Sequence, residues 1–438
     1  MEIRLMTPTA HGAPLEQTLP LMPDALGVEN QVVNLYPGVT GQTLEGFGGA
    51  VTDAAAYVYA QMPAEKRRQL MRDYFSEEGL GYRIVRVPMD SCDFSVEMYE
   101  ALSDPADTAL EGFSTQRQFR YILPMLEDAR EAAGGNLELM LSPWSPPAFM
   151  KDNGERKHGG RLLPQYADMW ARYLCRYIRE FRDRGFRVRR ISVQNEPKAV
   201  QTWDSCLYSA GEERAFILEH LRPALAKEGL EDIEIFGWDH NKERAYERAR
   251  ALAGAVDGIA CHWYSGDHFE ALDMIRACWP EMKLALSESC IEFSKYASDA
   301  EYDNALRLAH ELIGDLNHGM NAIYDWNLLL DAQGGPNHVG NFCDAPYLYD
   351  KATDTLTPRA VLGSLRHLAH FIRPGAMRIG VTRYTDQLDA TAFRNPDGSI
   401  ALVLLNKVEQ PLPVHLRLDD QLTAFTLPPR SLTSGVIR

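Results

Sequence analysis

Short apolar runs alternate with longer stretches of mixed character through most of the chain. Eight such runs stand in order at 44–50 (LEGFGGA), 82–89 (YRIVRVPM), 137–144 (LELMLSPW), 189–196 (RRISVQNE), 233–240 (IEIFGWDH), 257–264 (DGIACHWY), 283–289 (KLALSES) and 321–328 (NAIYDWNL). Their length suits strands better than helices. Stretches of helical composition follow them; in QYADMWARYLCRYIREFRDRG, after the third run, apolar residues recur at three and four. Eight strands each followed by a helix predict an α/β fold, the (β/α)8 TIM barrel. A doubly wound open sheet would need a glycine fingerprint after the first strand. GFGGAV supplies Gly46, Gly48 and Gly49 but has Val51 where the third glycine belongs.

The texture changes after about residue 372. TRYTDQLDATAFRNPDGSIALVLLNKVEQPLPVHLRL alternates polar with apolar residues and holds the turn signal NPDG between two strand-like runs. The first 40 residues contain strand-like pieces of their own, EIRLMT and NQVVNLY. Residues 41–371 are therefore expected to form the barrel. Residues 1–40 and 372–438 are expected to join as a small antiparallel β-sandwich side domain.

Composition narrows the function classes. The 438 residues carry 45 basic against 61 acidic groups, a formal net charge of −16, which argues against nucleic acid or an anionic membrane as the main partner. No apolar run approaches the roughly 20 residues of a spanning helix, so no membrane insertion is expected. MEIRLMTPTAHG lacks a basic segment followed by an apolar core, which points to a cytoplasmic location. Seven cysteines, an odd number without a C-x-x-C, read as free thiols filling apolar space. No H-E-x-x-H occurs, and His367 with His370 falls on the last barrel helix. His262, Asp267 and His268 lie nearer the rim and read as hydrogen-bonding groups. Neither a metal nor a cofactor is expected. Oligomeric state is not legible.

The C-terminal ends of barrel strands are where catalytic groups belong. There the apolar runs give way to MDSCDFS, SPWSPP, Asn195-Glu196, GWDHN, HWYSGDH, Glu288 and DWN. Trp144, Trp238, Trp263 and Trp326 fall in the same set, four of seven tryptophans at one rim and suited to stacking on sugar faces. Glu196 after strand 4 and Glu288 after strand 7 can converge across the mouth. Two carboxyls flanking a bond, one protonated and one ionised, are what glycoside hydrolysis requires.

GFGGAVTDAAA, RVPMDSCDFS, SPWSPPAFMKDNG, QNEP, HWY, SESC and GGPNHVGNFCDAP, in this order from residue 44 to 346, resemble glycoside hydrolase family 30, which includes glucosylceramidases and β-1,6-glucanases. The resemblance implies a retaining mechanism with Glu196 as acid/base and Glu288 as nucleophile. It implies that Asn195 meets the sugar 2-hydroxyl and that Arg86 and Tyr264 hold Glu288 ionised. It further implies that Asp93 and Trp144 bind substrate and that Trp326 floors the subsite; His262 and Tyr264, at the same rim, are expected as further substrate contacts. Two features depart from it: an additional Asp90 near Asp93, and the charged loop MKDNGERKHGGRL, poorly suited to a lipid tail. The expected substrate is a short β-glucoside cut by exo action. The alternatives are an endo-β-1,6-glucanase, a β-xylosidase or a β-fucosidase of the same chemistry, and more remotely a non-catalytic sugar-binding barrel.

Overall fold

The computed structural model describes residues 1–9 and 12–438. Eight parallel strands close into a barrel in sequence order: β1 (Gly46–Ala50), β2 (Ile84–Met89), β3 (Glu138–Pro143), β4 (Arg187–Ser192), β5 (Glu234–Asn241), β6 (Gly258–His262), β7 (Lys283–Glu288) and β8 (Ala322–Asn327). β8 pairs with β1, with Ala322 opposite Gly46, and this seam leaves no free edge. All eight expected strands are present. The segment after β1 forms two helices, Asp53–Gln61 and Ala64–Phe75, where one was expected. Thr52 caps the first by accepting from the Ala55 amide.

The barrel interior is layered. Ile84, Met140, Phe236, Ala260, Ala285, Ala322 and Tyr324 form an apolar cluster inside it. At the other end of the strands, Arg189, Arg190 and Lys283 interlock with Glu45, Glu138 and Glu234; Arg190 lies 2.9 Å from Glu234. One period of two above the apolar layer, the inward positions become Arg86, Ser142, His262 and Ser287. Those residues are fully buried, so the catalytic rim stands on a polar stratum and not on an aliphatic one.

Three strands slip register at that level. The pairing skips Asp239 on β5, Ser287 on β7 and Trp326 on β8. Trp238 and Asp239 both have positive φ, 72° and 48°, and this bulge turns Asp239 inward. An extra residue re-aims a side chain at the barrel rim, where bulges concentrate.

Both chain ends build the side module. A ten-stranded sheet pairs Glu2–Thr9 with Ser431–Ile437, and Val32–Thr43 with Met377–Thr382. It is antiparallel except where Val32–Thr43 runs parallel to Leu412–Leu418. One face of its central strands packs around Val33, Leu402, Leu404 and Leu416. The other, with Phe393, Ala401, Val403 and Leu405, joins the main core beside the barrel helices Glu301–Asn317 and Ala360–Ala369. Burial on both faces is why IALVLL is continuously apolar instead of alternating. His367 seals this junction: its Nδ1 is 2.7 Å from the Ser434 hydroxyl. It is not paired with His370, which reaches the Gly79 carbonyl.

Candidate active site

Arg86 rises from β2 into the centre of the barrel and is fully buried. Its guanidinium donates to Glu288 Oε2 at 2.6 Å, to Asn195 Oδ1 and Asp239 Oδ2 at 2.8 Å each, and to Ser142 Oγ at 3.1 Å. The fork geometry lets one cation serve four acceptors. Burial works against its charge, but Asp239 and Glu288 more than offset that. Its carbon lies 4.8 Å and 5.4 Å from the rings of Trp144 and Trp326, which stack with centroids 5.5 Å apart.

Glu288 ends β7. Besides Arg86 it accepts from the Tyr264 hydroxyl at 2.8 Å. Both carboxylate oxygens are thus held by donors. Glu196 follows β4 in a left-handed conformation, φ 46°, a costly geometry for a residue with a side chain. Its amide donates to the Asp239 carbonyl at 2.9 Å, which ties this turn to the β5 bulge.

His262 and Asp239 link the two carboxyls from below. His262 Nδ1 lies 3.2 Å from Glu196 Oε1 and 3.9 Å from Glu288 Oε1, and its Nε2 lies 3.2 Å from Asp239 Oδ1. One nitrogen near both oxygens limits their separation to those two distances laid end to end, about 7.1 Å. That leaves only the short end of the roughly 6.5–9.5 Å typical of inverting pairs and admits the retaining separation of about 5–5.5 Å. Burial opposes charge on His262, but Glu288, Asp239 and Glu196 push its pKa up to about 9. Burial opposes ionisation of Asp239 as well. Arg86, His262 and Ser192 outweigh it and hold the carboxyl well below its ordinary value. Glu196 is likewise raised by burial and lowered further by the His262 hydrogen bond and charge, and ends below its ordinary value.

Above these groups lies a cavity of about 280 Å³ lined by Asp93, Trp144, Asn195, Glu196, Trp203, His240, Tyr264, Glu288, Asn341 and Trp326. Two wider clefts, about 460 and 530 Å³, sit where the module meets the barrel, away from this constellation. In the smaller cavity burial and the nearby Glu288 push the Asp93 carboxyl up to about 8. The shift favours the protonated form, which can donate as well as accept. Asn337 and Asn341 point amides at it from 3.4 Å.

The structure brings together Arg86, Asp93, Trp144, Asn195, Glu196, Tyr264, Glu288 and Trp326. His262 requires correction: it was expected to touch substrate, but it is wholly buried beneath the carboxyls because its strand position points inward one layer too low. Two of the four rim tryptophans also lie elsewhere. Trp238 is turned outward by the bulge, under the Arg248 guanidinium, and Trp263 donates to the Cys290 carbonyl. Asp90 does not face the sugar site. It accepts from the Tyr173 and Tyr177 hydroxyls at 2.6 and 2.5 Å and lies 3.5 Å from Arg156. Arg156 belongs to the charged loop after β3, so the two unusual features are halves of one buried contact. Sequence reasoning missed Asp239, Asn341 and Trp203. Asp239 stood in the quoted GWDHN and Asn341 in GGPNHVGNFCDAP, whereas Trp203 sits in a loop with no periodicity to mark it.

A closed barrel with paired carboxyls and stacked tryptophans at its C-terminal mouth is the arrangement of a glycoside hydrolase. Residues 44–372 match the model of the glycosyl hydrolase family 30 TIM-barrel domain, and residues 375–434 match that of the family's beta sandwich domain. The chain belongs to glycosyl hydrolase family 30. It is 31% identical over 412 residues to the lysosomal acid glucosylceramidase of Mus musculus, covering 89% of this chain and 80% of that protein. It is 26% identical to an endo-1,6-beta-D-glucanase of Neurospora crassa, over 84% of this chain and 79% of that one. Among solved structures, SrfJ from Salmonella typhimurium superposes with a TM-score of 0.96 at 34% identity over the full length of both chains. An endo-beta1,6-glucanase superposes with a TM-score of 0.88 at 25% identity, over 99% of this chain and 98% of that one.

Proposed function

We propose that this glycoside hydrolase is a retaining β-glycosidase that removes single glucosyl units from short β-glucosides. Glu288 is its nucleophile and Glu196 its acid/base. The observation that carries this reading is the unequal environment of the two carboxyls. Glu288 is clamped by Arg86 and Tyr264, as a nucleophile must be, while Glu196 faces the cavity and shares a hydrogen bond with His262.

Glu288 attacks the anomeric carbon while Glu196 protonates the departing oxygen; Glu196 then takes a proton from the water that releases the sugar. Asn195 presents its carbonyl to Arg86, so its amide N–H is left to donate to the sugar 2-hydroxyl. Charge is conserved through the cycle. With the shared proton on Glu196, Arg86 carries one positive charge, Asp239 and Glu288 two negative ones, and His262 and Glu196 none. When Glu288 becomes an ester and Glu196 loses its proton, the site again carries a single net negative charge. In the empty site the shared proton rests on His262. A bound sugar deepens the burial of Glu196 and draws that proton to the carboxyl.

The small cavity supports exo action, since it lies near the lower limit of ligand pockets, roughly 300 Å³. Its mouth carries Glu292 and Lys295, paired at 2.5 Å, which favours a polar aglycone over a lipid tail. A second reading, endo-cleavage of β-1,6-glucan, is favoured by the likeness to the two glucanases. Hydrolysis of aryl β-glucoside, β-xyloside, β-galactoside and β-fucoside, followed by product sizing on a β-1,6-gluco-oligosaccharide ladder, tests both. Glucose released one unit at a time supports the first reading. Internal fragments support the second, and activity only on a non-gluco substrate refutes both.

A further inference from the structure

Two thiols in the catalytic cavity play no part in the chemistry above. Cys290, two residues beyond Glu288, and Cys343, two beyond Asn341, both line its wall and belong to one buried cluster with Phe94, Trp144 and Trp326. The Cys290 sulfur is 3.4 Å from the Tyr264 hydroxyl, the group that donates to Glu288. The chain segments that carry them are joined directly: Glu292 bridges Cys343, the Asp344 amide donates to the Ile291 carbonyl at 2.8 Å, and Phe293 donates to Phe342 at 3.2 Å. The thiol pair is therefore held in place by backbone.

That register has a chemical consequence. Cys343 faces Glu292, so continuing the pairing places Ala345, not Cys343, opposite Cys290. The thiols are diagonal neighbours, and diagonal pairs have Cα atoms roughly 7–8 Å apart. A direct disulfide needs less than about 7 Å. An atom inserted between the two sulfurs removes that restriction. We propose that Cys290 and Cys343 form a dithiol site for a bridging thiophilic centre of the trivalent-arsenical class, and that filling it blocks the sugar cavity. In the reaction an arsonous acid R–As(OH)₂ exchanges two As–O bonds for two As–S bonds. Each thiol proton leaves with a hydroxyl as water, and arsenic stays trivalent, so no oxidant is needed. The neighbouring Cys343 and burial push the Cys290 thiol up, and burial pushes the Cys343 thiol up, so both should react slowly with reagents that need one free thiolate. The exposed Cys278 is the natural competitor for such reagents.

The test uses the whole protein and phenylarsine oxide. One arsenical per chain is expected by intact mass, with digestion placing it across the peptides that contain Cys290 and Cys343. Hydrolytic activity should fall at least about tenfold and return with a dithiol such as 2,3-dimercaptopropanol. Glucose present during labelling should slow it. Cys343→Val and Cys290→Ser should each abolish the stable adduct by mass, a readout independent of their own activity, whereas Cys278→Ser should leave it in place. An adduct that persists in either of the first two variants overturns the proposal, as does a wild-type protein that takes up no arsenical or keeps its activity when labelled.

Discussion

Replacing His262 with glutamine keeps a polar side chain of similar reach but removes the charge beneath the two carboxyls. His262 titrates near pH 9 in the folded protein, against about 6.5 in an unfolded chain. A raised pKa means the protonated form is favoured by folding. The stabilisation is therefore fully present below pH 6.5 and is lost as pH rises through 9. At 1.36 kcal/mol per unit the difference amounts to about 3 kcal/mol. The groups facing His262 are Glu196, Glu288 and Asp239, with His240 beyond Glu196. Only the proton shared with Glu196 enters the chemistry. For an alkyl glucoside, whose leaving oxygen needs a proton, wild-type kcat/KM should fall on the alkaline side near pH 9. In His262→Gln the proton must come from Glu196 alone, and the alkaline limb should move to lower pH. Denaturant unfolding at pH 6 and pH 10 gives the second reading: wild type should lose about 3 kcal/mol more than the variant across that interval. A His262→Gln profile that superimposes on wild type, with parallel stability curves, would refute the coupling of His262 to Glu196.

Arg86→Lys keeps a cation but cannot reach Glu288, Asn195, Asp239 and Ser142 together; if the about 3–5 kcal/mol cost of breaking such a buried contact falls on the transition state, kcat/KM should drop about 10²–10⁴-fold, and a loss under tenfold would contradict the clamp. Glu196→Ala should lose about 10²–10⁴-fold on an alkyl glucoside yet retain most of its burst rate on a dinitrophenyl glucoside, with azide restoring turnover; equal losses on both substrates would remove Glu196 from the acid/base role. Burial holds the His367 pKa down to about 4, so its contribution is present above pH 6.5 and lost as pH falls through 4; His367→Gln should flatten acid destabilisation over that window by about 3 kcal/mol, measured by unfolding at pH 7 and pH 4.

The frame of this protein is plain in its sequence because periodicity is a local property. Each barrel strand follows from its own apolar run, and Glu196 and Glu288 stand out because a buried strand should not end on a carboxyl. Arg86, inside β2 and not at its end, was legible only through the motif RVPM and the family resemblance it carries. What stays hidden depends on register. Asp239 reaches the centre only because β5 carries an extra residue with two left-handed backbone conformations, and the same bulge expels Trp238. His262 looks like a rim residue in one dimension and proves to lie a layer below it. Asp90 and Arg156 are far apart in the chain and meet through a loop whose path no local pattern encodes. The side module was legible as a β unit, but the parallel pairing of its long Val32–Thr43 strand was not, since pairing partners are a tertiary choice.

The central claim is that Glu288 forms a covalent bond to the sugar. A 2-deoxy-2-fluoro glycoside with a dinitrophenyl leaving group, built on whichever glycone the aryl screen selects, slows release more than attack and traps that intermediate. Mass spectrometry of the digested protein should place one fluoroglycosyl group on Glu288, and Glu288→Ala should take up none. Steady turnover without any adduct, or an adduct on another residue, would contradict the double-displacement mechanism assigned to this site.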